Sequence, residues 1–161
     1  MSSKIKMASL VLTCLLFLAS GCTPISTLYH GKTVSEVPVA VLQEGGPVAD
    51  RWETFDLEID YKYFKQGDSF EISGQVALSQ HYQITYDRLS RIYVYLFFLD
   101  KDSRVLETIS FANTWSSNTD EAQDFSDSYK LPPGTTGLSF GYTGVVRDEE
   151  SFSQFYALPL E

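Results

Sequence analysis

The chain has 161 residues, 43% of them hydrophobic, with 21 acids against 12 Lys and Arg, two His and two Cys, for a formal charge of −9. That length suits one ordinary domain with its own core, and the cysteine count excludes a disulfide-stapled scaffold. The acidic balance argues against nucleic acid and against docking on anionic headgroups, because phosphates would be repelled.

In chain order, Lys4 and Lys6 make a positive start, Met7–Leu18 (MASLVLTCLLFL) are almost unbroken apolar residues, and Ala19, Ser20 and Gly21 are small. This sequence of segments is the pattern of a secretory signal. Its apolar stretch is shorter than the roughly 20 residues a membrane span needs, which disfavours an uncleaved anchor. Leu18-Ala19-Ser20-Gly21-Cys22 resembles the lipobox of bacterial lipoprotein precursors, with Ala19 where that motif most often has leucine. The resemblance implies a diacylglyceryl thioether on Cys22, cleavage before it, and a further acyl chain such as palmitate on the new amino group. Two or more chains hold a protein stably at a membrane where one binds marginally. In a Gram-negative host, Thr23 in place of an aspartate favours the outer membrane, with the domain facing the periplasm.

This reading divides the chain into a signal peptide (1–21), a lipidated Cys22 with its tether (22–50) and a domain (51–161). Cys14 leaves with the signal, so the mature chain has Cys22 alone and no intramolecular disulfide. Losing Lys4 and Lys6 takes the charge from −9 to −11.

Thr23 to about Asp50 carries Pro24, Pro38, Gly45, Gly46 and Pro47 without a sustained period, with a short edge strand expected at 37–42. Phe55, Leu57, Ile59, Tyr61 and Tyr63 then alternate with Asp56, Glu58, Asp60 and Lys62, which predicts a half-buried strand. A turn at 65–68 and a second alternation from Phe70 to Leu78 complete a hairpin. Residues 79–90 have no clear period. Ile92–Leu99 (IYVYLFFL) is apolar on both faces and predicts a central strand, returning through a turn at 100–103 into 105–111. Trp115–Asp124 (WSSNTDEAQD) reads as the longest polar loop. Phe125, Asp127, Tyr129 and Leu131 alternate into a turn at Pro132-Pro133-Gly134, and Leu138 to Val146 alternate again. Asp148 is expected to cap a helical turn placing Phe152, Phe155 and Tyr156 on one face.

About six strands joined by tight turns give an all-β fold, an immunoglobulin-like two-sheet antiparallel β-sandwich. The fragment 94–102 followed by Val105-Leu106-Glu107-Thr108, with Leu131-Pro132-Pro133-Gly134 before a late strand, resembles immunoglobulin-like bacterial sandwiches of the FxLYD type. Leu96, Phe98 and Leu99 stand where that signature has Phe, Leu and Tyr. The resemblance supports the fold and implies no catalytic residue.

Catalytic and metal chemistry find little material. His30 and His81 have no histidine neighbour at metal spacing, and no nucleophile elbow, phosphate loop or dinucleotide fingerprint is present. Asp100-x-Asp102 is a turn lacking the glycine and distant glutamate of an EF-hand loop. Asp120, Glu121, Asp124 and Asp127, and the run Asp148-Glu149-Glu150, read as solvated acids, with a weak calcium site as the rival. Tyr82, Tyr86, Tyr93 and Tyr95 would serve either a stacking face for sugar or peptide or the packing of the sandwich, and packing is favoured. No cofactor, metal site or catalytic residue is therefore expected.

The expected function is a non-catalytic, monomeric domain, lipid-anchored through Cys22, acting as an accessory or interaction module for another envelope protein. Glycan or peptide binding through exposed Tyr and Trp is the first rival, and a carboxylate-dependent hydrolase the last. The candidate interaction residues are Trp115, Ser116, Ser117 and Asn118, because long loops on rigid sandwiches carry binding residues and tryptophan is enriched at interfaces.

Overall fold

A computed structural model describes residues 28–35 and 37–158, and for 112 and 114–116 the backbone alone. The signal peptide, the lipobox and Cys22 lie outside the described residues. The elements that lie within the described residues follow in order: β1 (Ala40–Val41), β2 (Gly45–Glu53), β3 (Leu57–Gln66), β4 (Ser69–Leu78), the short helix α1 (Gln80–Thr85), β5 (Arg88–Leu99), β6 (Val105–Asn118), β7 (Gln123–Lys130), β8 (Gly137–Arg147) and β9 (Phe152–Ala157).

The strands form two antiparallel sheets. One has the order β1-β8-β5-β6, with β9 also paired to β8; the other has the order β2-β3-β4-β7. The chain crosses between sheets from β4 to β5, from β6 to β7 and from β7 to β8, while β3–β4, β5–β6 and β8–β9 are hairpins. Taking β3, β4 and β7 as strands A, B and E, the order β6-β5-β8-β9 in the first sheet becomes C′-C-F-G, which is immunoglobulin-like connectivity without strand D. The expected all-β sandwich is therefore the fold.

Period-two patterning explains the packing. On β3 the inward residues Leu57, Ile59, Tyr61 and Tyr63 are buried; on β4 so are Phe70, Ile72, Val76 and Leu78. Glycine is required at position 74, since a Cβ there would meet the carbonyl oxygen of Asp60 at 2.1 Å. From the facing sheet come Val94, Leu96, Phe98, Leu138, Phe140, Tyr142 and Val146. The rings interlock edge to face, as in Phe70 with Phe98 at 5.4 Å and Trp52 with Phe140 at 5.6 Å, an arrangement aromatic quadrupoles favour.

β5 is buried on both faces from Val94 to Leu99, as its composition predicts, and a second core explains why. Tyr95, Phe97 and Leu99 point away from the sheet interface and pack under Tyr29 and Val34, together with Val105. Residues 29–34 of the expected tether thus form a clasp on the domain. Gly31 N–H donates to the Val105 carbonyl, Val105 N–H to Lys32 and Val34 N–H to Ser103. The Pro38 carbonyl accepts from both Trp52 Nε1 (2.8 Å) and Ser139 Oγ (2.7 Å). The short edge strand expected at 37–42 appears as β1, and 45–50, placed in the tether by their Gly and Pro content, form most of β2. These residues tolerate Pro47 and the bulge between Gly45 and Val48 because β2 is an edge.

Three further expectations are corrected. Trp115–Asp124 is not a long loop: β6 continues to Asn118 and β7 begins at Gln123, leaving 119–122 as the turn. An edge strand with one solvated side has the same polar composition as a loop. Residues 152–157 form a strand, β9, not a helical turn. Asp148 Oδ1 accepts from the N–H groups of Glu150 (2.8 Å) and Ser151 (2.6 Å), which makes a hairpin turn. Phe155 then points inward while Phe152 and Tyr156, three residues before and one after, point outward. Finally, Phe55 lies before β3 rather than in it, 74% exposed.

Candidate functional site

The residues singled out by sequence lie together on β6. By register Trp115 stands opposite Arg91, Ser117 opposite Leu89 and Asn118 opposite Arg88, with Ser116 between Trp115 and Ser117. β6 is the edge of its sheet. Its first residues are covered by the clasp, through the bridge of Thr33 to Arg104 and the contact of His30 Nδ1 with the Leu106 carbonyl at 2.8 Å. Beyond Glu107, no strand among the described residues pairs with its outer side.

The edges differ in how they are guarded against pairing. β2 carries a proline, a bulge and Asp50, Arg51 and Glu53; β7 carries Asp124, Asp127 and Lys130; β1 and β9 are short. Charges, prolines and short length are the ways edges avoid adding foreign strands. Past Glu107 β6 lacks charge and proline: from Thr108 to Thr119 there is no charged residue, proline or glycine. Its bulge between Ser110 and Ala112 aims Phe111 inward, against Phe125 at 4.7 Å and Phe140 at 5.5 Å. That bulge anchors the strand to the core and leaves the stretch from Ala112 to Asn118 as a regular ladder with β5. The sequence located this segment through its tryptophan and polar residues, but the reason to notice it, a missing guard on an edge, needs the sheet order.

The turn after β6 borders an open hollow of about 670 Å³ at one end of the sandwich. Residues 83–87 from α1 and its C-terminal end, 118–120, and 148–150 line it. It brings Asp120 and the Asp148–Glu150 run near one another, joined by Asp87, whereas Asp124 and Asp127 lie on β7 away from it. Asp148 is held below the usual carboxylate range by the Glu150 and Ser151 N–H groups it accepts. Among the described residues no group of three or more His, Cys, Asp and Glu has the geometry to hold a metal ion.

The four tyrosines do not make one face. Tyr82 is buried on α1 against Phe155 (5.0 Å) and Tyr86 (6.0 Å), and its hydroxyl is pushed up to about 12 by burial, with Asp56 beside it. Tyr95 is buried under the clasp, 6.2 Å from Tyr29. Packing therefore accounts for both. His81 is exposed and its ring lies tilted against Phe55 at 5.3 Å. At the same end, Tyr142 donates to Asp56 Oδ2 (2.7 Å) and accepts from Thr54 Oγ1 (2.8 Å), pinning the β2–β3 turn to β8. Burial raises the Tyr142 hydroxyl well above its usual range, which suits a structural donor.

No protein-family model matches the chain, and neither a curated protein nor a solved structure shows significant similarity to it. Among the described residues no helix is long and apolar enough to cross a membrane.

Proposed function

We propose that this chain is a lipid-anchored protein of the bacterial cell envelope, in the outer membrane of a Gram-negative host. Its sandwich is a non-catalytic module that docks another envelope protein along the edge of β6. The observation that carries the docking reading is the unguarded edge: a strand uncharged from Thr108 to Thr119 and, among the described residues, paired on one side only beyond the clasp. Such an edge takes up an extended segment through main-chain hydrogen bonds, and side chains beside it supply specificity. Ser110, Asn113 and Asn118 are exposed along it, and Trp115–Asn118 lie at its far end. The lipid anchor rests on the lipobox at Leu18–Cys22, which lies close upstream of the first packed residues.

Two experiments test the two halves. Metabolic labelling with a clickable fatty acid should mark the native chain and leave Cys22→Ser unlabelled and unprocessed; label on the serine variant refutes the anchor. A photo-crosslinking side chain at Asn113 should trap a discrete partner in intact cells, while one at Ser128 on the guarded edge of β7 should not. Adding guards, Ser110→Lys with Asn118→Lys, should abolish the adduct without unfolding the domain. An adduct that persists in the doubly guarded variant refutes docking by strand addition.

A further inference from the structure

The outer face of the β6-β5-β8-β9 sheet carries a charge pattern that the rest of the molecule does not share. Arg88 and Arg91 on β5 and Arg147 on β8 are all exposed, and among the described residues none forms an ion pair or side-chain hydrogen bond. Elsewhere among the described residues Arg51, Lys65, Lys101 and Lys130 are in ion pairs, and Lys32, Lys62 and Arg104, which are not, lie on different segments. Arg88 and Arg147 are direct cross-strand partners, and like charges in that position destabilise a sheet.

A bulge produces this cluster. Residues three apart on a regular strand face opposite sides, so Arg88 and Arg91 would be split between core and solvent. The register against β8 slips between Leu89 and Arg91, so that Leu89 and Ile92 are both buried while both arginines stay outside. Bulges re-aim side chains in this way at functional positions. The arginines are bordered by exposed aromatics: Phe152, which pairs with Arg147, is 70% exposed and Tyr156 is 69% exposed on the same side of β9. The nearest acids in sequence, Asp87 and Asp148, line the end hollow instead, and Asp148 is occupied by its own turn.

The same face is where the chain departs toward the anchor. Tyr29 packs on Tyr95 and Phe97, the outward residues of β5. Five residues separate Leu28 from Cys22, and covalent geometry limits that span of six steps to roughly 20 Å. A lipid on Cys22 therefore keeps this face, and not the opposite sheet, next to the bilayer. Arginines flanked by Phe and Tyr are the side chains suited to a headgroup region, where guanidinium forks take phosphate and rings sit at the interface.

We propose that this face lies on the membrane that carries the anchor, with Arg88, Arg91 and Arg147 taking the phosphates of anionic lipids and Phe152 and Tyr156 entering the interface. The proposal rests on the lipid-anchor reading for its orientation. It also shows why net charge misleads: screening at physiological salt confines a charge to about 8 Å, so a local patch acts on what it touches whatever the overall sum.

The test uses the mature lipidated protein in phosphatidylcholine vesicles with and without phosphatidylglycerol. With Cys22 acylated and Cys14 removed, Gln154→Cys or Glu71→Cys supplies the only thiol for an environment-sensitive fluorophore, on this face or on the outer side of β4 respectively. Brominated lipid should quench the probe at 154 in phosphatidylglycerol vesicles and leave the probe at 71 bright. Arg88→Gln, Arg91→Gln and Arg147→Gln together should relieve the quenching while the melting curve keeps its shape. An unquenched probe at 154, or equal quenching at both sites, overturns the proposal; so does binding of polyglutamate with no quenching, which would make this a protein-docking face. If mass spectrometry finds no lipid on Cys22, the anchor reading fails separately, and sedimentation of the same protein with phosphatidylglycerol vesicles decides the face. Arginine-dependent binding that falls about 100-fold in the triple variant keeps the face assignment, and no binding overturns it.

Discussion

Phe98→Ala probes the central claim about the core. Phe98 has no exposed surface and sits between the sheets, edge-on to Phe70 at 5.4 Å and beside Tyr129 at 6.1 Å. Its neighbours lie on β4 and β5, each held by pairing registers on both sides, and on β7, which is paired to β4, so they have little freedom to collapse into the space. Truncating a phenylalanine in such a site costs about 3–5 kcal/mol, from the lost transfer energy and the cavity left behind. Against a total stability of about 5–15 kcal/mol that is a large fraction. For a domain of this size it corresponds to a melting point lower by roughly 10–18 °C. Urea unfolding followed by tyrosine and tryptophan fluorescence measures it, with an unchanged slope as the sign that the two-state comparison holds. A loss below about 1 kcal/mol, the range of surface sites, would refute this account of the core.

Two other predictions follow from the clasp and from the titrating groups. Tyr29→Ala should destabilise by about 1.5–3 kcal/mol, the burial energy of a large side chain, and speed exchange of the Gly31 and Val34 amides. A double-mutant cycle with Phe97→Ala should show a coupling of about 0.5–1.5 kcal/mol, and strict additivity would place Tyr29 off that face. Stability should also fall at both pH extremes. Asp100 and Asp148 are held low by backbone N–H groups, chiefly of Arg104 and Glu150, and Asp60 by the Arg51 guanidinium. The unfolded chain therefore binds more protons near pH 4, so this stability is present above roughly pH 4 and lost as the pH falls through the lower folded values. Burial raises Tyr61, Tyr129 and Tyr142, so the folded chain keeps protons the unfolded one releases, and stability declines as the pH rises above roughly 10. A urea midpoint that stays flat below pH 4 and above pH 10 would contradict both assignments.

What the sequence determined by itself was whatever depends on local period and composition. Alternation on 57–63, 70–78 and 138–146 is a local signal because each inward side chain meets the same core, and those strands formed with the predicted faces. The doubly apolar run at 92–99 likewise foretold a strand covered on both sides. The covering partner was illegible: Tyr29 and Val34 reach Phe97 and Leu99 across more than sixty residues of chain, and their own segment has Pro and Gly without period. Polar content could not separate an edge strand from a loop at 115–118, since both have a solvated side. Spacing could not separate a helical turn from a strand at 152–156, where i, i+3 and i+4 aromatics fit one helix face but split across a sheet. Only the tertiary structure decided which edges are guarded and which arginines meet. Strand order and a single bulge between Leu89 and Arg91 set both, and those are contacts between segments that one-dimensional periodicity does not encode.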